Sequence, residues 1–244
     1  MLWLSGHAFT ISRFGRQSLV LLVLLVLVAG CNRQTPTPPP LDLPPEQYRE
    51  LVSAFFTGVT AYQVGDGERA RERFQAATVI APDEPAVWAN HALAEARAGA
   101  FDGVVAAIAK ARALAPDSSA IALIAAQIDS RQGNTEASVD LLREAVKLDD
   151  ANLRARYALV EELDRQQGAE VDAAGAAEIR AQLEEILKLQ PANLVALFDL
   201  GRLAAKTGDV ALHDQVVAQL APLADAWDAD TRARLAELEA ASKA

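Results

Sequence analysis

The chain has one cysteine in 244 residues, Cys31. No intramolecular disulfide can form, and a redox dithiol or a cage of several thiolates around a metal is excluded. Aromatic residues are 5% of the sequence, and no stretch alternates apolar and polar residues as a half-buried strand does. Positive charge is also scarce. Lysine and arginine total 23 against 33 acids, a net charge of −10. Residues 1–30 carry Arg13 and Arg16 and no acid, so without them the charge is −12. Such a body lacks the positive surface that non-specific binding to nucleic acid or anionic lipid needs. Long apolar runs are missing too. The run at 19–29 is eleven residues, short of the roughly 20 a membrane-spanning helix needs.

What is present is a period. V-I-A-P ends at Pro82, A-L-A-P at Pro116 and K-L-D-D at Asp150, each 34 residues after the last. A fourth ending, K-L-Q-P at Pro191, follows after 41 residues, one period plus seven. A fixed period with helical patterning predicts stacked helix–turn–helix units, a solenoid. The spacing predicts pairs over 46–64 and 68–80, 84–98 and 102–114, 118–131 and 135–148. A fourth first helix is expected over 152–167, with a second helix ending near Leu189. Glycines 65, 99, 133, 168 and 208 mark the turns inside the pairs, where a left-handed residue can end a helix. The seven extra residues fall within 168–175, to lengthen a helix or to form a loop.

The N-terminus reads as an address. A basic lead, the short apolar run and small Ala29 and Gly30 make a secretory signal pattern. The segment Leu27-Val28-Ala29-Gly30-Cys31 resembles the bacterial lipobox. That resemblance implies cleavage before Cys31 and its attachment to lipid; an ordinary signal peptide with an incidental cysteine is the other reading. Asn32, where an Asp would favour the inner membrane in enteric-type bacteria, leans toward the outer membrane. Residues 32–45 hold six of the eleven prolines. Extended polyproline II at ~3.1 Å per residue would make them a semi-rigid stalk.

The repeats resemble the tetratricopeptide (TPR) family. Ala70, Phe74, Ala77 and Pro82 carry the likeness in the first unit, and Trp88, Ala92, Ile108, Ala111 and Pro116 in the second. Gly133-Asn134, Leu142 and Ala145 carry it in the third, and Leu197, Leu200, Gly201 and Gly208-Asp209 in the fifth. The resemblance implies an all-α fold, a right-handed α-α superhelix of about five helix pairs with a C-terminal capping helix near 231–241. The expected organisation is a signal peptide at 1–30, lipidated Cys31 and linker at 31–45, the array at 46–220, and a cap and tail at 221–244.

Beyond Cys31 there are two histidines. His91 falls one turn after Trp88, where the family normally has a core leucine, so a partly buried structural role is expected. His91 with Glu95, and Asp209 with His213, have i, i+4 spacing. Each pair offers two ligands, whereas zinc needs three or four that converge. No serine nucleophile motif or phosphate-cradling glycine loop is present. No catalytic residue, metal or cofactor is expected, and the chain reads as a non-enzyme.

In this family the first helices of successive pairs line a concave groove. On them Arg97, Arg131 and Arg165 recur one period apart, with Lys206 at the same place in the fifth unit and Gln63 in the first. A cation row can hold the carboxylates of an extended peptide. The same place is the last turn of each first helix, where a cation also answers the helix dipole by ~0.3–1 kcal/mol. Tyr62, Asn90, Gln127, Arg154, Tyr157, Phe198 and Arg202 complete the expected groove.

The expectation is a lipid-anchored scaffold or adaptor facing the periplasm, holding protein segments during assembly of an envelope complex. Its layout is similar to repeat-built pilotins of type IV pili and to assembly lipoproteins for outer-membrane proteins. The alternatives are a chaperone-like module for exported polypeptides and a non-catalytic accessory subunit of an envelope enzyme. Expected partners are a protein or peptide and, through Cys31, a membrane, but no nucleic acid.

Overall fold

The structure, a computed structural model, describes residues 41–168 and 171–241. The signal segment 1–30, Cys31 and the linker as far as residue 40 lie outside the described residues, as do 169 and 170 of the insertion. Among the described residues all regular structure is helical, in five antiparallel pairs. The first pair is α1 (Pro45–Val64) with α2 (Gly67–Ile80), and the second α3 (Pro85–Ala98) with α4 (Phe101–Leu114). The third is α5 (Ser119–Arg131) with α6 (Thr135–Leu148), and the fourth α7 (Leu153–Gln167) with α8 (Ala173–Leu189). The fifth is α9 (Leu194–Thr207) with α10 (Val210–Leu220). A 3-10 turn (Ala221–Ala226) then leads to α11 (Ala229–Ala241).

Local chemistry sets these boundaries. Pro45 and Pro85 occupy first turns, where a missing N–H costs nothing. The side chains of Asp66, Ser118, Asn152, Asp172, Asn193 and Asp209 accept backbone N–H bonds at helix starts. Gly65 and Gly99 close α1 and α3 at φ of 91° and 77°, left-handed values that other residues rarely take. The fourth unit's seven extra residues divide three ways. Relative to the second unit, its first helix has 15 residues rather than 14 and its second 17 rather than 14. The rest fall between the helices, where 168–172 replace a two-residue turn.

Packing follows residue size. Ala70, Ala77, Ala111 and Ala145 on the second helices are fully buried, and their small side chains let the paired first helices approach. In the fourth unit Ile179 and Ile186 fill the corresponding places, and α7 and α8 meet over fewer residues than α5 and α6. Successive first helices touch one another through the first four units, whereas successive second helices do not pack together. The first-helix layer is therefore the inner, shorter one, and the array curves around it. Long side chains span the outer layer instead. Arg112 reaches both Glu144 oxygens at 3.0 Å, Arg143 reaches Glu178 at 2.8 Å, and Arg180 reaches Asp209 at 3.1 Å.

The far end is closed by α11. Leu235 and Leu238 are buried, and Leu238 lies so near Gly201 that a Cβ there would sit 2.7 Å from its methyl. His213 is buried, and its Nε2 donates to the Leu238 carbonyl at 2.9 Å. A carbonyl only accepts, so the proton is on Nε2. The sequence spacing paired this histidine with Asp209; instead Asp209 caps Leu212 and binds Arg180. His213→Ala strips the tie, at a cost of about 1–3 kcal/mol for a buried acceptor left unsatisfied. Amide exchange in α11 should accelerate by roughly tenfold to a hundredfold while α5–α7 keep their rates. Unchanged exchange in α11 would mean the leucines alone hold the cap.

Candidate binding groove

The inner face takes one column of side chains from each first helix. The cation column runs Gln63, Arg97, Arg131, Arg165, Lys206. The structure gives it a role within the fold, because three rungs reach back to the preceding unit. The Arg97 guanidinium lies 4.8 Å from the centre of the Tyr62 ring, within cation–π range. Arg165 Nη1 donates to Ser130 Oγ at 2.7 Å and pairs with Glu162 on its own helix at 2.8 Å. Lys206 Nζ meets Asp164 at 3.2 Å and donates to the Gly168 carbonyl at 2.7 Å. The receiving residues Tyr62, Ser130 and Asp164 belong to one column, whose member in the second unit is Ala96. At the register position that serves the other rungs, Arg131 has only alanine, and among the described residues its side chain has no hydrogen bond or ion pair.

The other expected groove residues fall into two groups. Arg154 and Arg202 are exposed, Gln127 and Tyr157 half-buried. Tyr157 is fixed by its hydroxyl, which donates to Asn193 Oδ1 at 2.6 Å; burial, with the nearby Asp199 charge, pushes its pKa up. Arg202 pairs with Asp199 one turn earlier. Asn90 and Phe198 do not open onto the groove. Asn90 is 6% exposed and spends its amide on the Ala86 carbonyl at 2.7 Å. Phe198 is 3% exposed, covered by Trp227 at 5.9 Å and the Arg234 guanidinium at 4.8 Å. The connection after α10 folds back over it, which a pattern read within one repeat does not show.

The face changes character along its length. Val52, Phe56, Val59 and Leu93, each half-buried, give the first two units an apolar stretch. Arg154, Glu161, Asp199 and Arg202 make the last two charged. Elsewhere, His91 Nε2 and Glu95 Oε1 do pair, at 3.2 Å. No group of three potential ligands that could hold a metal occurs among the described residues, and no described helix is long and apolar enough to cross a membrane.

No family model matches the chain, and a search of curated proteins returns no match. Solved structures do match it. A tetratricopeptide repeat protein from Parabacteroides merdae aligns over 79% of this chain and 73% of its own, with 14% identity and a TM-score of 0.58. The fold is a tetratricopeptide solenoid. PilF of Pseudomonas aeruginosa aligns over 79% of this chain and 90% of its own, with 16% identity and a TM-score of 0.59. Yeast Tom70 gives 0.64 at 16% identity over 93% of this chain, which spans 47% of the Tom70 chain. At these identities the likeness is one of fold. The solenoid explains why an inner face exists; its residues are this chain's own.

Proposed function

We propose that this chain is a non-catalytic scaffold of the bacterial cell envelope, which holds a segment of a partner protein along its inner face and helps assemble an envelope complex. The observation that carries the reading is an inner face on which the first helices of the first four units touch in succession, apolar at one end and lined with cations through its middle. Solenoids of this kind present extended concave surfaces for binding. The leader and the lone Cys31 support a lipid anchor facing the periplasm, in the outer membrane rather than the inner. The proline-rich linker would hold the array off the bilayer.

The test is cross-linking in living cells from a photoreactive residue at Gln127 on the inner face or at Ala109 on the outer one. Partners are identified by mass spectrometry, with a Cys31→Ser chain as control. The expected result is one envelope complex, captured from Gln127 and not from Ala109, and depleted in the control. Many unrelated exported chains at Gln127 would replace the scaffold with a general chaperone-like module. Capture only from Ala109 would move the binding surface to the outer layer.

A further inference from the structure

Resting on the groove reading, we infer that the partner segment is acidic and that its carboxylate seats on Arg131, at the junction of the second and third units. The argument begins with the interrupted ladder. Wherever the preceding unit offers an acceptor or a ring, the ladder cation uses it: Tyr62 for Arg97, Ser130 for Arg165, Asp164 for Lys206. At 96 the chain has alanine, and the charge of Arg131 is left for something outside the fold.

A second observation marks the outer side of the same junction. Helices α4 and α5 meet over fewer residues than any other two consecutive helices of the five pairs. Ile121, Ile124 and Ile128 of α5 pack into the second unit's core rather than the third's, and such bulk separates α5 from α4, while α3 and α5 on the inner face stay close. Gln127, one turn before Arg131, is half-buried with no hydrogen bond among the described residues. A guanidinium and an amide four residues apart on one helix face can both donate to one carboxylate. Leu93 of α3, half-buried, offers apolar surface on the same face. The fitting occupant is therefore an extended segment with an acidic side chain and a neighbouring apolar one. Its carboxylate would supply from outside the acceptor that Ser130 and Asp164 supply from within. The chain's own N-terminal segment cannot do this, because residues 1–41 contain no Asp or Glu.

The test uses the full chain in detergent and two pools of short fluorescent peptides. One pool fixes a leucine and a nearby Asp or Glu; the other has Asn or Gln in place of the acid. The wild type should bind the acidic pool about tenfold more tightly, the scale of one charge-assisted hydrogen bond. Salt should erode the difference. Arg131→Gln, at an exposed site, should abolish the preference. So should Ala96→Asp, which gives Arg131 a partner inside the fold while leaving the arginine in place; it should also raise the melting temperature. Equal binding of both pools overturns the acidic assignment and leaves the groove reading standing. A preference that survives Arg131→Gln overturns it as well. Binding of neither pool also overturns it, and the cross-linking experiment then decides the groove reading separately. Self-association that disappears in Arg131→Gln would seat a second copy there instead and overturn the partner class.

Discussion

Phe74→Ala should cost about 3–5 kcal/mol, the range for emptying a fully buried aromatic site, and the loss should fall on the first unit. Phe74 is 1% exposed. Its ring meets Phe55 edge-on at 5.5 Å, and it lies so close to α1 that a Cβ on Gly58 would sit 3.0 Å from the ring. No neighbouring side chain can collapse into the space without moving α1. The first unit's core is a separate cluster, joined to the second unit through Val87 and Ala94; a larger cluster runs through the third to fifth units and α11. Solenoid stability is approximately a sum over units and their interfaces. Urea melts should therefore split, with an early phase carrying the helicity of α1 and α2. Amide exchange should lose protection over 45–80 and keep it in α6–α9. One unbroken transition with protection lost uniformly would show that the array unfolds as a single body and that the cluster boundaries carry no energetic weight.

The helix pairs were legible because two independent signals coincide in them. The period places the units, and the capping chemistry places the ends. The predicted 135–148 is the observed α6, and 46–64 differs from α1 by one residue. The groove was less legible, for a physical reason. A register of 34 states which face a residue occupies, not what stands one unit away. Asn90 sits on the expected face, but an amide one turn from the Ala86 carbonyl bonds there and is buried. Phe198 sits there too, and the chain after α10 returns to cover it. The cation ladder was visible as a column, with its acceptors in the adjacent column at 62, 130 and 164. Read together, the two columns show Ala96 as a gap, but only packing shows that each rung reaches back rather than forward. The ties across the outer layer, Arg112 to Glu144 and Arg143 to Glu178, join helices in different units, and no motif announces them.

The ladder also separates two accounts of its own charge. If the cations served the helix dipole alone, their neighbours one unit back would be irrelevant. Three of them instead use those neighbours, at 2.7–3.2 Å for Arg165 and Lys206 and over an aromatic face for Arg97. Coupling between adjacent units is thus built into the inner face. Arg131 marks the one interior joint that this column leaves untied.

His91→Leu should destabilise the chain at neutral pH even though leucine is the residue the repeat pattern expects there. His91 is 8% exposed and Glu95 7%. Their contact at 3.2 Å stands where the fourth unit has the buried apolar pair Leu159 and Leu163. Glu95 fits because α4 has Gly103 opposite it, where a Cβ would lie 2.7 Å from the carboxyl carbon. The groups facing the pair are Glu68 and Arg71 from α2 and Trp88 from α3. Burial, then the Arg71 charge, pushes the His91 pKa down, and burial pushes the Glu95 pKa up against Arg71. At neutral pH the imidazole is uncharged and donates its Nε2 hydrogen to the Glu95 carboxylate. Leucine at 91 removes that donor and strands the carboxylate. The cost should be about 3 kcal/mol, the low end for stripping one partner from a buried pair, since Arg71 remains nearby.

The pH dependence then differs between the two chains, because the wild type carries both titrations and His91→Leu only that of Glu95. A depressed histidine pKa gives stability that is present above its unfolded value of about 6.5 and lost as pH falls. A raised carboxyl pKa gives stability that is present below the unfolded value and lost as pH rises through the folded one. Acidifying from pH 7 toward 5 should therefore weaken the wild type through His91, an effect that its own Glu95 offsets in part, whereas His91→Leu keeps only the Glu95 titration and gains, so their stabilities converge. Replacing both residues by leucine removes both titrations and should match or exceed the wild type by about 1–4 kcal/mol at pH 7. Urea melts of the three chains across that range decide the matter. If His91→Leu matched the wild type at pH 7, Glu95 would be adequately held by Arg71 and solvent, and the histidine would be a spacer and not a partner.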